Sequence, residues 1–260
     1  MSGLPSGLPE VVRSTPMPGG DIARVLDVDL ADGRRAVVKH TPYDATLEAE
    51  GLRALGAAGV WVPAVLAAEP DVLVLEHVRA QPDLEALGAE LATAHRAHGR
   101  RFGWHRDNVI GPLAQANPPT ASFADFFVHH RLLPYLDDLP AELAARLQRA
   151  CDGVLVDLLE HAQPPSLVHG DLWAGNILDD RVLIDPAVHY GDREIDLAML
   201  DLFGGVPAPL QAGYEAVWPL DDGWQRRRPA LQLYHLLVHV RLFGAGYLAP
   251  VAHRLDALGV

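Results

Sequence analysis

Three residues of this chain have the types and spacing to do chemistry together: Asp171, Asn176 and Asp185. The first two stand in His169-Gly170-Asp171-Leu172-Trp173-Ala174-Gly175-Asn176, and the third closes the apolar run Val182-Leu183-Ile184-Asp185. Phosphoryl transfer needs a carboxylate that orients the attacking hydroxyl and takes its proton. It also needs oxygen ligands that hold Mg²⁺ against the phosphates of ATP. Asp, Asn, Gly and Pro are all turn formers, so a lone aspartate and asparagine five apart would describe an ordinary loop. Here the pair lies between two short apolar strands, and a further carboxylate follows on the second, which favours the chemical reading.

The spacing from Asp171 to Asn176 is that of the H-R-D-x-x-x-x-N loop of protein kinases, and Asp185 stands where their D-F-G aspartate would be. This chain reads Asp185-Pro186-Ala187 there, so the aromatic switch residue is missing. Lys39 ends the β-branched run Ala36-Val37-Val38 and is placed like the kinase lysine that neutralises α- and β-phosphate charge. A glutamate on the next helix would hold that lysine extended. Glu48 and Glu50 compete for the task, and Glu48 is preferred because residues two apart on a helix point in different directions. Gly19 and Gly20, in Pro18-Gly19-Gly20-Asp21, precede the first predicted strand, where backbone N–H groups could contact phosphate. Glu76 to Val78 follow the run Val72 to Glu76, placed to offer backbone groups to adenine. Asp196 opens an apolar helix and is assigned to supporting the site, by capping or by hydrogen-bonding the catalytic loop. His169 is expected to brace the same loop. Trp173, two positions after the candidate base, is the tryptophan expected to line the acceptor pocket, whereas Trp104 and Trp224 read as core.

The elements that position these residues fall into two parts. Up to residue 78 the pattern is strand-rich: Arg24 to Leu30 and Arg34 to Lys39 flank the Ala31-Asp32-Gly33 turn, a helix covers Glu48 to Ala58, and Val72 to Glu76 is a strand. From 79 to 260 the pattern is helical. Apolar residues recur at helical spacing from Leu84 to His95, and Leu143 to Leu158 form a stripe continuous over about four turns. Another helix is predicted over Pro229 to Phe243. Strands reappear only at Ser166 to His169 and Arg181 to Asp185, and Phe102 to Thr120 is irregular. The predicted class is α+β: a bilobal, protein-kinase-like fold with a small β-rich N-lobe, a larger α-helical C-lobe and a hinge near Glu76 to Ala80.

The bulk composition sets limits on partners. Of the 260 residues 49% are hydrophobic and 21% charged, enough for a sizeable core in an ordinary soluble domain. A formal net charge of −13 would be repelled by a phosphate backbone, so no nucleic-acid partner is expected. The single cysteine, Cys151, has no intrachain partner, which fits a reducing compartment. No apolar run reaches the length of a membrane helix and residues 1 to 10 hold no signal-like apolar stretch, so a cytoplasmic protein is expected, with a monomer favoured.

Together these motifs resemble the fructosamine/ketosamine-3-kinase family, within the wider aminoglycoside-phosphotransferase and choline-kinase-like group. The resemblance runs from about Gly19 to Tyr247. It rests on Phe102-Gly103-Trp104, Asp107-Asn108-Val109-Ile110-Gly111, Gln115-Ala116-Asn117, the His169 to Asn176 segment, Ile184 to Met199 and the Leu233 to Tyr247 tail. It implies transfer of the ATP γ-phosphate to the 3-hydroxyl of a ketosamine, an Amadori adduct of a sugar on an amine, in deglycation or repair. By the same resemblance Asp171 is the base, Asn176 and Asp185 hold Mg²⁺, Lys39 contacts phosphate, Glu48 is its helix partner and Trp173 faces the sugar. Three departures stand out: the segment between Lys39 and Glu48 is shorter than in many relatives, which weighs against a salt bridge between them; the Gly19-Gly20 turn lacks a cysteine; and His189 replaces a more usual aromatic, which would alter the pocket. The alternatives are a related kinase for an aminoglycoside or amino alcohol, and a non-catalytic, kinase-shaped ATP-binding protein. The Phe102 to Asn117 stretch favours the ketosamine acceptor.

Overall fold

The computed structural model describes residues 5–17, 23–161 and 163–260. Its N-terminal lobe is a five-stranded antiparallel sheet in the order β1-β2-β3-β5-β4, built from β1 (Val11–Pro16), β2 (Arg24–Leu30), β3 (Arg35–His40), β4 (Val65–Glu69) and β5 (Val72–Glu76). Helix α1 (Ala45–Ala57) lies on one face. Alternation along a strand sends successive side chains to opposite faces, and both faces here are buried. Ala36, Val38, Val72 and Val74 pack with Val28 and Leu30 on one side, while Leu73 and Leu75 pack with Ala45, Ala49 and Leu52 of α1 on the other. Val37 belongs to the α1 side, so Lys39, two residues on, must point there too.

Two strands escaped the sequence reading. All but the first residue of β1 are exposed, and the strand is held by its pairing with β2 rather than by an apolar face. In β4, Ala67 and Ala68 weaken the strand signal, and pairing with β5 supplies it. The first helix also begins earlier than its Leu and Ala pattern suggests, because the Asp44 carboxylate caps it by accepting the N–H of Thr46 at 3.0 Å.

The C-terminal lobe carries the large core and, among the described residues, the longer helices α2 (Leu84–His95), α4 (Ala141–Cys151), α5 (Val154–Leu159), α6 (Glu194–Leu202), α7 (Ala208–Val217), α8 (Trp224–Phe243) and α9 (Leu248–Ala257). A short α3 (Phe123–Phe127) passes into a wider and then a tighter turn through Asp138. The continuous stripe predicted from Leu143 to Leu158 is two helices, because Gly153 leaves helical backbone geometry at φ −149° and ψ −97°. The helix predicted to start at Pro229 starts at Trp224 and keeps the proline inside it.

Short strands are more numerous than predicted. The irregular 102–120 stretch contains the hairpin β6 (Asn108–Ile110) and β7 (Leu113–Gln115). Around the opening motif, β8 (Ser166–Val168) pairs with β11 (His189–Gly191), and β9 (Ile177–Leu178) pairs with β10 (Val182–Leu183). Asp179 and Asp180, both near φ +50°, open the three-residue turn 179–181 between β9 and β10. Two or three residues are too few for a periodic signal, so these strands exist through their partners. No helix among the described residues is long and apolar enough to cross a membrane.

Candidate active site

Lys39, Glu48 and Asp185 meet where the sheet, α1 and the β10 exit converge. Lys39 Nζ lies 2.8 Å from Glu48 Oε2 and 2.8 Å from Asp185 Oδ1. Glu48 occupies a position in the buried stripe of α1 with Ala45, Ala49 and Leu52, so the helix that covers the sheet also delivers the carboxylate. Burial works against the Lys39 ammonium, but the charges of Asp185 and Glu48 outweigh it and hold the group cationic. Burial and the neighbouring Asp185 push Glu48 up, and Lys39 works against that rise. Glu48 Oε1 is buried without a hydrogen-bond partner, so the pairing is one-sided. Tyr43, which the sequence reading did not single out, is raised to about 12, first by burial, and sits beside the same lysine. Nothing in its local sequence marks it.

The catalytic-loop candidates lie against this group. Asn176 donates from Nδ2 to the Asp171 carbonyl at 2.8 Å and, more weakly, to Asp171 Oδ2 at 3.4 Å. That leaves the Asn176 amide oxygen without a donor among the described residues. Burial first, and then the charge of Asp185, push the Asp171 carboxyl up to about 7. Asp185 itself has φ +55°, a left-handed conformation that aspartate tolerates better than most residues. The donor set of Asp185 and Asn176 is made of hard oxygens, which fits Mg²⁺.

Asp196 and His169 support the loop from behind. Asp196 is fully buried at the start of α6 and accepts the backbone N–H groups of His169 (2.7 Å) and Gly170 (2.8 Å) and the Nε2–H of His95 (3.0 Å). Burial alone would raise its pKa, but the His95 hydrogen bond and the surrounding donors bring it below the usual value. His169 donates from Nε2 to the Ile184 carbonyl at 2.9 Å, tying the loop to the residue before Asp185. Gly170 has φ +82°, and a Cβ there would lie 2.2 Å from the Ala187 carbonyl oxygen, so no other residue fits. From α8, His235 donates to the Gly170 carbonyl at 2.9 Å. His95 meets Asp196 across 101 positions and His235 meets Gly170 across 65, so only the three-dimensional packing reveals them.

The remaining predicted positions are spread more widely. Trp173 is 42% exposed beside Asp171, which leaves its indole open to solvent on the loop. Glu76 and His77 spend their N–H groups on the carbonyls of Ala64 and Arg35, whereas Val78 makes no backbone hydrogen bond among the described residues. Gly19 and Gly20 lie outside the described residues. Trp224 is buried in the C-lobe core, and Trp104 is half-buried against Tyr190.

Two expectations about the acceptor side need correction. His189 is fully buried, stacks against Phe126 and donates from Nδ1 to the Ala187 carbonyl, so it lines no open pocket. The amide side chains of the 102–117 stretch likewise turn inward. Asn108 donates to the Val188 carbonyl at 2.8 Å, Gln115 to the Ala187 carbonyl at 3.2 Å and to Asn108 Oδ1 at 2.7 Å, and Asn117 to Asn108 Oδ1 at 2.8 Å. Arg131, fully buried over the Phe126 ring, fastens Asn117, and Tyr234 fastens Gln115. This polar cluster braces the backbone that leaves Asp185. The close spacing of amides in an otherwise apolar region was the available signal for it.

Comparison with known proteins identifies the family and the fold. The family model described as fructosamine kinase matches residues 7–258. A protein of Lactiplantibacillus plantarum named "Probable ketoamine kinase" is 35% identical over 272 residues, 95% of this chain and 94% of that one. A Synechocystis protein of the same name is 45% identical over 175 residues, but that match spans 62% of this chain and 57% of the relative. Among solved structures, the one called "putative fructosamine-3-kinase" from Thermobifida fusca superposes with a TM-score of 0.88 at 37% identity, over 96% of this chain and 94% of that one. An aminoglycoside phosphotransferase solved with ADP and hygromycin B gives 0.63 at 18% identity, over 96% of this chain and 94% of that one. That last likeness shows the fold alone, and the fold is the bilobal one of protein-kinase-like phosphotransferases.

Proposed function

The chain belongs to the fructosamine kinase family of phosphotransferases with an alcohol group as acceptor, and we propose that it carries the γ-phosphoryl group of ATP to the 3-hydroxyl of a ketosamine. The observation that supports this most is the closed group Lys39–Glu48–Asp185, which joins the sheet, α1 and the catalytic loop beside Asp171. A chain that had lost catalysis would have no need to keep Asp171, Asn176, Asp185 and Lys39 together.

Each residue then has a task. Asp171, raised to about 7 and steadied by Asn176, is basic enough to orient the acceptor hydroxyl and take its proton. Lys39 offers a permanent cation to the nucleotide phosphates, and Glu48 keeps it extended toward them. Asp185 and the free amide oxygen of Asn176 would hold Mg²⁺, which when bound neutralises charge on the phosphate oxygens. The open N–H of Val78 is suited to the adenine edge, and Gly19 and Gly20 to the phosphates. Trp173 offers an exposed aromatic face to the sugar. His169 and Asp196 contribute by fixing the loop.

The test is ADP formation with Mg·ATP and a panel of ketosamines (fructosamine, ribulosamine and erythrulosamine adducts of a free amine and of protein lysine), with the phosphorylated carbon identified by NMR. Ketosamine-dependent ADP with phosphate on O3 is the expected result. Turnover with an aminoglycoside or amino alcohol and with no ketosamine would replace this reading by that of a related small-molecule kinase.

A further inference from the structure

Glu50 was a rival to Glu48 for the lysine, and the fold gives it a different set of partners. Its carboxylate accepts from the Trp104 indole N–H at 2.6 Å, lies 3.1 Å from His105 Nε2 and pairs with Arg106 Nη2 at 2.7 Å. Three consecutive residues of one C-lobe loop thus converge on one side chain of α1. The site is part-buried, with the Glu50 side chain 27% exposed.

Geometry gives this contact its consequence. At 3.6 residues per turn, positions two apart on a helix differ by about 200° around the axis. Glu48 therefore faces Lys39 from one side of α1, and Glu50 is held from nearly the opposite side. Gly51, one turn from Glu48, sits on Pro186 and Val188: a Cβ there would lie 3.0 Å from Pro186 Cγ. The C-lobe loop is anchored in turn. Gly103 exchanges two 2.8 Å backbone hydrogen bonds with Tyr190 in β11, and the Trp104 ring packs 5.2 Å from the Tyr190 ring. A closed circuit results, running from Lys39 through Glu48 and Glu50 to Trp104 and Tyr190, then back along β11 to Asp185 and Lys39.

We propose that Glu50 is a positioning residue: by clamping α1 to Trp104, His105 and Arg106 it fixes the rotation of the helix, and so holds Glu48 on Lys39. This rests on the reading of Lys39 and Glu48 as the phosphate-binding pair.

The test compares Glu50→Ala and Trp104→Phe with Lys39→Met, Glu48→Gln and the double variant Glu48→Gln/Glu50→Ala. Hydrogen–deuterium exchange of residues 45–57 is measured without ligand, alongside kcat/KM for ATP and KM for a synthetic fructosamine. For Glu50→Ala the expectation is α1 amides exchanging about 10-fold faster and kcat/KM for ATP about 5- to 20-fold lower, with the acceptor KM within about two-fold. Trp104→Phe should move both in the same direction, by less. The double variant should be no worse for ATP than Glu48→Gln alone, because the clamp acts through Glu48. An inactive Lys39→Met beside a Glu50→Ala with wild-type kcat/KM for ATP would overturn the clamp alone. Fully additive losses in the double variant would also overturn it. Full activity of both Lys39→Met and Glu48→Gln would overturn the reading of the site, and the clamp with it.

Discussion

Lys39 and Asp185, 146 positions apart in the chain, meet at 2.8 Å. This ion pair ties the end of β3 in the N-lobe to the segment that follows β10 in the C-lobe, where the proposed reading puts the nucleotide phosphates. The Lys39→Met variant should therefore keep its fold and lose phosphoryl transfer, with kcat/KM for ATP lower by about 10²-fold or more. Steady-state ADP release beside a thermal melt checks this. An unchanged kcat/KM would remove Lys39 from the phosphate site.

The buried Asp196 carboxylate makes a second prediction. All three of its partners are donors: two backbone N–H groups and the His95 ring. Asp196→Asn would turn an amide NH₂ toward donors and leave at least one of them unsatisfied. The expected loss of stability is about 2–4 kcal/mol, read from urea unfolding, with a lower kcat because the His169-Gly170 backbone loses its anchor. A variant of wild-type stability would refute the anchoring role.

How much of this was legible beforehand depends on how local the signal is. The Asp171–Asn176–Asp185 spacing, Lys39 at a strand end and Glu48 on the following helix are short-range patterns, and the fold places them together. Strand β1, nearly all exposed, and the two- and three-residue strands β9 and β11 carry no periodicity of their own and form only by pairing with another strand. The break at Gly153 hid inside an apolar stripe that resumes on its far side. His95, His235 and the clamp at Glu50 are meetings between remote segments, and spacing along the chain encodes none of them. The amides of the 108–117 stretch were visible as a motif, but their inward direction was not.

Buried histidines predict the acid limit of the fold. Burial holds His189 well below its ordinary value and His235 down to about 4. Below about pH 6.5 the unfolded chain takes up protons that these folded rings refuse, so stability falls as pH falls from about 6.5 toward 4. Each ring contributes at most about 1.4 kcal/mol per pH unit over that window and nothing above pH 7.5. The His235→Asn variant keeps a donor for the Gly170 carbonyl and removes one titrating group. Its urea midpoint should depend less steeply on pH between 7.5 and 5 than that of the wild type. Parallel curves would contradict the assignment.

The central claim is that Asp171 takes the proton of the attacking hydroxyl, and kcat of Asp171→Asn beside the wild type tests it most directly. Both proteins would be assayed for ketosamine-dependent ADP formation at saturating Mg·ATP. The predicted result is a fall of about 10²–10⁴-fold in kcat with the ATP KM nearly unchanged, since the amide is isosteric but accepts no proton. A variant that retained near-full turnover would contradict the account.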